Sequence, residues 1–211
     1  MFIRKDDFNE VKIIPSILVY LLMNFGIIFV IEIIDDSFLD KNTNVVQLII
    51  DCLFILYLFF KFGVNFRKLN KLIHDFIEKI NIKEILNVVF TQILISLGTT
   101  LLILAIVCFI DLDMANSLNS SGDDIFTNTV SVFILTVITA PILEELLFRV
   151  VIFKRLSRIF DVYIGMIFSS ILFGILHVEL AVVGAIIFGI ANCILYLKYR
   201  NILIPMTVHF L

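Results

Sequence analysis

Charged residues are scarce in this chain and tryptophan is absent. Of its 211 residues only 17% are charged, whereas 61% are hydrophobic and the mean hydropathy is +1.09. A soluble domain carries about a quarter charged residues, so this composition argues against a soluble fold and predicts a polytopic membrane protein. Without tryptophan, anchoring at the membrane interface falls to tyrosine, lysine and arginine.

Neither the charge balance nor the cysteine content points to a nucleic acid or to a disulfide framework. The 16 Lys and Arg residues are offset by 19 Asp and Glu residues, for a net charge of −3. We therefore expect no nucleic-acid partner. Cys52, Cys108 and Cys193 each lie in an apolar run without CxxC or metal-ligand spacing, and we interpret them as buried structural thiols.

Long apolar runs make up most of the chain. A membrane-spanning helix needs roughly 20 mostly apolar residues, so these runs predict an all-α, polytopic transmembrane bundle of about seven spans. The first run is too long for a signal-peptide core and lacks a small-residue cleavage site, and we expect it to remain as a span. The runs are 12–34, 44–63, 84–110, 128–153, 161–178, 181–198 and 201–211.

Loop charges predict how these spans are oriented. Basic residues flank the first span and recur within 61–83, 154–158 and 198–200, whereas acidic residues dominate 35–40 and 111–124. Lys and Arg accumulate in cytoplasmic loops, so we expect a cytoplasmic N-terminus. The segment 65–84 repeats apolar residues at helical spacing among lysines, which predicts an amphipathic helix on the cytoplasmic face.

One apolar run contains an unusual set of charges. Two carboxylates and a guanidinium within a span, Glu144, Glu145 and Arg149, cost several kcal/mol unless they pair or face a wet cavity. Residues four apart share a helix face, so Glu145 can pair with Arg149, whereas Glu144 is rotated by about 100° and is left free. Just upstream, Pro141 is expected to kink or start the helix. A packing ion pair explains Glu145 and Arg149 equally well, but it leaves Glu144 without a partner.

Two histidines in later runs add to these charges. His177 ends a Phe-x-x-x-His motif that begins at Phe173, and His209 lies in the last run. A glutamate with two histidines can activate water directly, and it can also hold zinc with an open position. The other polar groups within spans, Asp51 and Asn192, are interpreted as interhelical hydrogen-bonding residues.

The order of these motifs is more telling than any one of them. Glu-Glu-x-x-x-Arg at 144–149, Phe-x-x-x-His at 173–177 and the later His209 together resemble the CAAX-protease and bacteriocin-processing family of intramembrane peptidases. That family includes type II CAAX prenyl endopeptidases and bacterial Abi-type proteins. The resemblance covers about residues 128–211, expected to be the catalytic core, and 1–127 would supply the N-terminal spans.

The resemblance implies a role for each residue. Glu144 would be the general base that activates water, with His177 as its partner. Glu145 and Arg149 would hold the site open and oriented, and His209 would help to bind the oxyanion. The family usually adds an asparagine four residues later, which is position 213 of a 211-residue chain. We therefore expect a core that is incomplete at its C-terminus, for one of two reasons. Either the sequence is truncated and an eighth span is missing from it, or the protein lacks this donor, at a rate cost of about 10²–10³.

Together these features predict an intramembrane endopeptidase that cleaves a peptide or membrane-protein substrate in the lipid bilayer. The resemblance suggests a bacterial cell membrane and a part in bacteriocin or peptide processing or in self-immunity, and zinc is left open as a cofactor. The alternative is a non-catalytic membrane immunity or scaffold protein of the same fold. A proton-coupled transporter is disfavoured because no internal repeat of spans is visible.

One geometric condition accompanies this hypothesis. His177 is expected near the outer end of its span, whereas Glu144 lies nearer the cytosol in its own. A buried turn around 178–181 or a strongly tilted span must therefore bring the two side chains together.

Overall fold

The protein is described by a computed structural model over residues 12–34, 36–110, 129–177 and 182–211. All regular secondary structure in these ranges is helical, which confirms the predicted all-α bundle. The helices are α1 (Ile13–Ile34), α2 (Asp36–Lys61), α3 (Phe66–Lys79), α4 (Ile82–Ile110), α5 (129–159, in five consecutive segments), α6 (Val162–Leu176), α7 (Val182–Tyr199) and α8 (Leu203–Phe210).

Helix α5 changes its geometry along its length. Its segments are α-helical Thr129–Phe133, π-helical Ile134–Thr139, α-helical Ala140–Glu145, π-helical Leu146–Phe153 and α-helical Lys154–Ile159. Pro141 lies in the first turn of the middle α-helical segment, where a missing N–H is tolerated. Glu144 and Glu145 therefore both lie in a short α-helical segment between two π-helical segments. Local π-helical geometry within a helix frequently marks a functional site.

Within the described residues, four helical stretches are long and apolar enough to cross a membrane. They are Ile13–Ile33, Asn42–Lys61, Ile82–Ile103 and Val182–Tyr199, and each coincides with a predicted span. The other predicted spans coincide with α5, with the 15-residue apolar helix α6 and with the 8-residue helix α8. The protein is a polytopic helical membrane protein.

The best-packed part of the bundle surrounds α5. Phe54 and Leu58 lie on one face of α2, Phe62 follows just after its end, and all three are fully buried. They pack with the π-helical stretch Leu146–Phe153, all of which is buried. Large apolar residues of α1 and α4 are instead widely exposed, as expected of surfaces that face lipid. The charged motif therefore lies in the interior of the bundle.

Helices α6 and α7 approach each other closely at a glycine. A Cβ atom at Gly189 would lie 2.9 Å from Cβ and 3.0 Å from Cα of Ser170. Small residues allow the backbones of membrane helices to come this near. The contact fixes α7 against α6 and so fixes the side chains that α7 directs at α5.

A polar cluster joins α4 to α7 at the end of the bundle where α7 ends. Lys198 donates to both carboxylate oxygens of Glu84, at 2.5 and 2.6 Å, and the Tyr199 hydroxyl donates to the same carboxylate at 2.7 Å. Asn201 donates to the backbone carbonyl of Leu72 in α3 at 2.8 Å. Helix α3, within the predicted amphipathic segment, has no buried residue; its place on the membrane surface stays a prediction.

The fold tests the sequence interpretations of Asp51 and of the cysteines. Asp51 accepts hydrogen bonds from Tyr20 of α1 at 3.1 Å and from Gln47 at 2.9 Å, in agreement with an interhelical bond. The interpretation of the cysteines as buried is right for Cys193 and wrong for Cys52, whose side chain is exposed. An apolar residue such as Cys52 can face lipid as readily as the core, and composition does not separate the two. The side chain of Cys108 lies outside the described part.

Candidate active site

The Glu145 carboxylate is the most enclosed charge of the site. It is fully buried and accepts hydrogen bonds from three helices. Arg149, one turn further along α5, donates from Nε at 2.9 Å and from Nη2 at 3.3 Å. Asn192 of α7 donates from Nδ2 at 2.9 Å, and Nδ1 of His209 in α8 lies at 3.2 Å. The spacing of four predicts the pairing with Arg149, and the other donors compensate the remaining cost of burying the carboxylate.

Arg149 is enclosed on its remaining sides. Its guanidinium lies over the ring of Phe173, 5.2 Å from the centroid, and Nη1 is 3.7 Å from Sγ of Cys193. The side chain is fully buried. The guanidinium therefore points into the bundle.

Glu144 has a different environment from its neighbour. Its side chain is 25% exposed, and Oε2 lies 3.8 Å from Nε2 of His177 and 3.7 Å from Nε2 of His209. That oxygen has no hydrogen-bond partner among the described residues. Both distances exceed a direct hydrogen bond, but each can be bridged by one water. The three groups thus surround a single position suited to a water molecule.

The second nitrogen of each imidazole is held by another group. Nδ1 of His177 is 2.8 Å from the carbonyl of Phe173, and Nδ1 of His209 is 3.2 Å from Glu145. Because a carbonyl and a carboxylate only accept, each Nδ1 must carry the proton. In a neutral ring Nε2 is then an acceptor, so both rings present a lone pair toward Glu144. This orientation suits groups that position water and exchange its protons.

Aromatic side chains form the wall behind the two imidazoles. The ring of Phe173 lies 4.3 Å from that of His177 and 6.0 Å from that of His209, and Phe188 lies 4.8 Å from His209. The Phe-x-x-x-His motif therefore supplies a ring contact as well as the carbonyl that holds His177. These ring contacts restrict the orientation of the imidazoles.

The spacing of the donor atoms bears on zinc. Ligand bonds to zinc are about 2 Å long, so three ligand atoms must lie roughly 3–4 Å from one another. In the part of the chain that the structure describes, the only trio of His, Cys, Asp and Glu with ligand atoms all within 4.8 Å is His74, Asp75 and Glu78 on the exposed helix α3. No trio from the candidate active site fits this requirement.

The sequence did not identify every group of the site. Asn192 was interpreted as an interhelical hydrogen-bonding residue, which it is, but its partner is the Glu145 carboxylate. The sequence around an asparagine in an apolar helix does not indicate which neighbouring helix its side chain faces. The turn 178–181, invoked to bring His177 to Glu144, lies outside the described residues.

An acidic side chain between two imidazoles inside a membrane bundle is the arrangement that the sequence predicts for an intramembrane hydrolase. Residues 126–211 match the family model of the type II CAAX prenyl endopeptidase Rce1-like proteins. The match confirms the resemblance carried by the three motifs, and at the level of the family it supports a CAAX-type intramembrane protease. Comparison with curated proteins and with solved structures gives no match.

Proposed function

We propose that the protein is an intramembrane endopeptidase in which Glu144 activates water for attack on a peptide bond. The observation that carries this proposal is the orphaned Oε2 of Glu144, 3.8 and 3.7 Å from the Nε2 atoms of His177 and His209. A general base must be within reach of the proton that it abstracts, directly or through one water.

The proposed reaction assigns a role to a particular atom of Glu144 and of each histidine. Water held between Glu144 and His177 loses a proton to Oε2 of Glu144, and its oxygen attacks the carbonyl carbon of the peptide. The carbon–nitrogen bond breaks as the protonated carboxyl returns its proton to the leaving amine. In this proposal His209 enters the reaction with both ring nitrogens protonated and keeps both protons throughout. It donates from Nε2 to the oxyanion while its Nδ1 proton stays directed at Glu145.

The proposal assigns the remaining pair to positioning. The Arg149 guanidinium neutralises Glu145, and Glu145 in turn fixes Nδ1 of His209. Because no trio of donor atoms in the site meets the spacing of a zinc centre, the proposed step passes through no metal. The substrate is a peptide or membrane protein, and processing of secreted peptides or self-immunity in a bacterial membrane is the proposed setting.

Cleavage by the variant Glu144→Gln tests the proposal. The substrates are two quenched-fluorescent peptides in liposomes, one with a prenylated cysteine in a CAAX end and one its unprenylated twin. Loss of a general base should lower the cleavage rate by about 10²–10⁴-fold without loss of peptide binding. Cleavage should persist in a zinc chelator.

The matched control is Glu32→Gln, which removes an exposed glutamate of α1 and should cleave at the wild-type rate. A wild-type protein that binds either peptide but cleaves neither, with Glu144→Gln indistinguishable from it, would contradict the proposal. That result would favour the non-catalytic immunity or scaffold alternative.

A further inference from the structure

An apolar cavity adjoins the two imidazoles on the side of α4. Its volume is about 340 Å³, and its wall includes His177, His209, Phe173 and Phe188. Residues of α4 complete the wall, among them Gln92 and Ser96. The cavity therefore offers a peptide a place directly beside the two imidazoles.

A peptide bond inside the membrane is protected as long as its chain is helical. Exposing it to attack requires a few residues to unwind, and their N–H and C=O groups then lose their partners. Each unsatisfied backbone group costs several kcal/mol in a medium without water. An intramembrane peptidase therefore needs polar side chains beside its catalytic groups.

Gln92 meets this requirement. Its Nε2 donates to the carbonyl of Gly184 in α7 at 2.9 Å, which fixes the orientation of the amide. A glutamine has two N–H donors and an acceptor oxygen, so Oε1 and one N–H remain for another partner. The amide is thus held rigidly at the cavity wall with hydrogen-bonding capacity to spare.

Ser96 lies on the same helix face, four residues further along α4. Hydroxyls in helices commonly bond to a carbonyl of the preceding turn, as Thr91 does to Asn87 at 2.7 Å and Thr99 does to Ser96 at 3.0 Å. The Ser96 hydroxyl has no such partner within the described ranges. It is the free hydroxyl on the cavity side of this helix.

We propose that Gln92 and Ser96 bind the unwound backbone of the substrate beside the scissile bond. The inference rests on the proposed function and identifies the substrate as a peptide that enters the cavity in extended form. Gly184 supports this use, because a Cβ there would meet Thr99 at 3.4 Å and Ser96 at 3.6 Å and would narrow the gap between α4 and α7.

Backbone-ester peptides provide the test. The prenylated and unprenylated peptides are each made in the ordinary amide form and as a series of analogues. Each analogue has a single backbone N–H replaced by oxygen, at a different residue near the cleavage site. Their affinities are measured by fluorescence anisotropy on full-length Glu144→Gln protein in lipid nanodiscs. We expect one peptide position that depends on Gln92 and another that depends on Ser96. At each of these two positions the ester should bind about 2–10-fold more weakly than the amide, which is the effect of one hydrogen bond. Gln92→Met and Ser96→Ala should each abolish the difference at one of these positions.

The control Thr91→Val removes a hydroxyl of α4 that bonds to its own helix and should leave the amide–ester difference intact. If Gln92→Met weakens amide and ester equally, its amide only holds Gly184 and the inference is wrong. It is also wrong if no position discriminates or if neither peptide binds. Wild-type protein that discriminates without cleaving would contradict the proposed hydrolysis alone.

Discussion

Two adjacent glutamates in this chain occupy opposite environments because a helix rotates one away from the other. Glu145 is enclosed by donors from α5, α7 and α8. One oxygen of Glu144, in contrast, has no hydrogen-bond partner among the residues that the structure describes, and two imidazoles lie near it. One carboxylate is fixed as a counter-charge and the other is left able to take a proton. The chemistry expected of each follows from its partners and not from its residue type.

Asn192 is predicted to be a positioning residue. Asn192→Ala removes a bond to a buried carboxylate, and hydrogen bonds to charged groups are worth about 1.5–3 kcal/mol. We expect a lower thermal midpoint in detergent and a cleavage rate reduced by about tenfold or more, since Glu145 would hold His209 less firmly. The matched variant Asn24→Ala loses a bond to the Tyr20 carbonyl on its own helix and none to Glu145, and it should retain the rate. Wild-type values of both quantities for Asn192→Ala would contradict this role.

At the residue scale, the sequence anticipated the local pairs and missed the distant ones. The spacing of Glu145 and Arg149 dictates their contact because both lie on one helix face. The contacts of Glu145 with Asn192 and of Gln92 with Gly184 join residues 47 and 92 positions apart, and helix rotation decides them. The roles of Glu144, Glu145, Arg149, His177 and His209 stay predictions, although the structure places these side chains in one cluster.

Helix contacts in this bundle depend on small residues. Gly189→Ala would place a Cβ at 2.9 Å from Cβ and 3.0 Å from Cα of Ser170, so the backbones of α6 and α7 must separate. Overpacking of this kind typically costs about 1–3 kcal/mol, and we expect a lower thermal midpoint and slower cleavage, because α7 also carries Asn192. The control Gly98→Ala has nothing within 4 Å and should be at least as stable as wild type. Equal midpoints for the two variants would show that the close approach is not needed.

Helix positions were largely predictable, whereas helix geometry was not. Apolar runs of about 20 residues identify spans because lipid requires every backbone group to be bonded within the segment. The two π-helical stretches of α5 depend on how its buried side chains pack, and no periodicity in 128–153 reveals them. The two π-helical stretches explain why α5 accommodates Pro141 without ending there.

The orientation of the whole molecule in the membrane is a prediction from its loop charges, and it can be measured. With Cys52 and Cys108 replaced by serine and buried Cys193 retained, a cysteine at Ser120 should react with a membrane-impermeant maleimide in intact cells. A cysteine at Arg67, exposed on α3, should react only after permeabilisation, because basic loops stay in the cytosol. The reverse pattern would place the N-terminus outside. The division into 1–127 and 128–211 likewise stays a prediction, since the core contacts of α2 with α5 cross it.

The buried ion pair has a consequence for how this protein is made. A lone arginine or glutamate at the centre of a span raises the cost of entering lipid by about 2.5–3.5 kcal/mol on insertion scales. Glu145 and Arg149 are separated by a single turn, so they neutralise each other as soon as that turn forms. The nascent segment can leave the translocon with this pair already neutralised and only the Glu144 carboxyl of the motif uncompensated. The amide and imidazole donors join it after α7 and α8 have been synthesised.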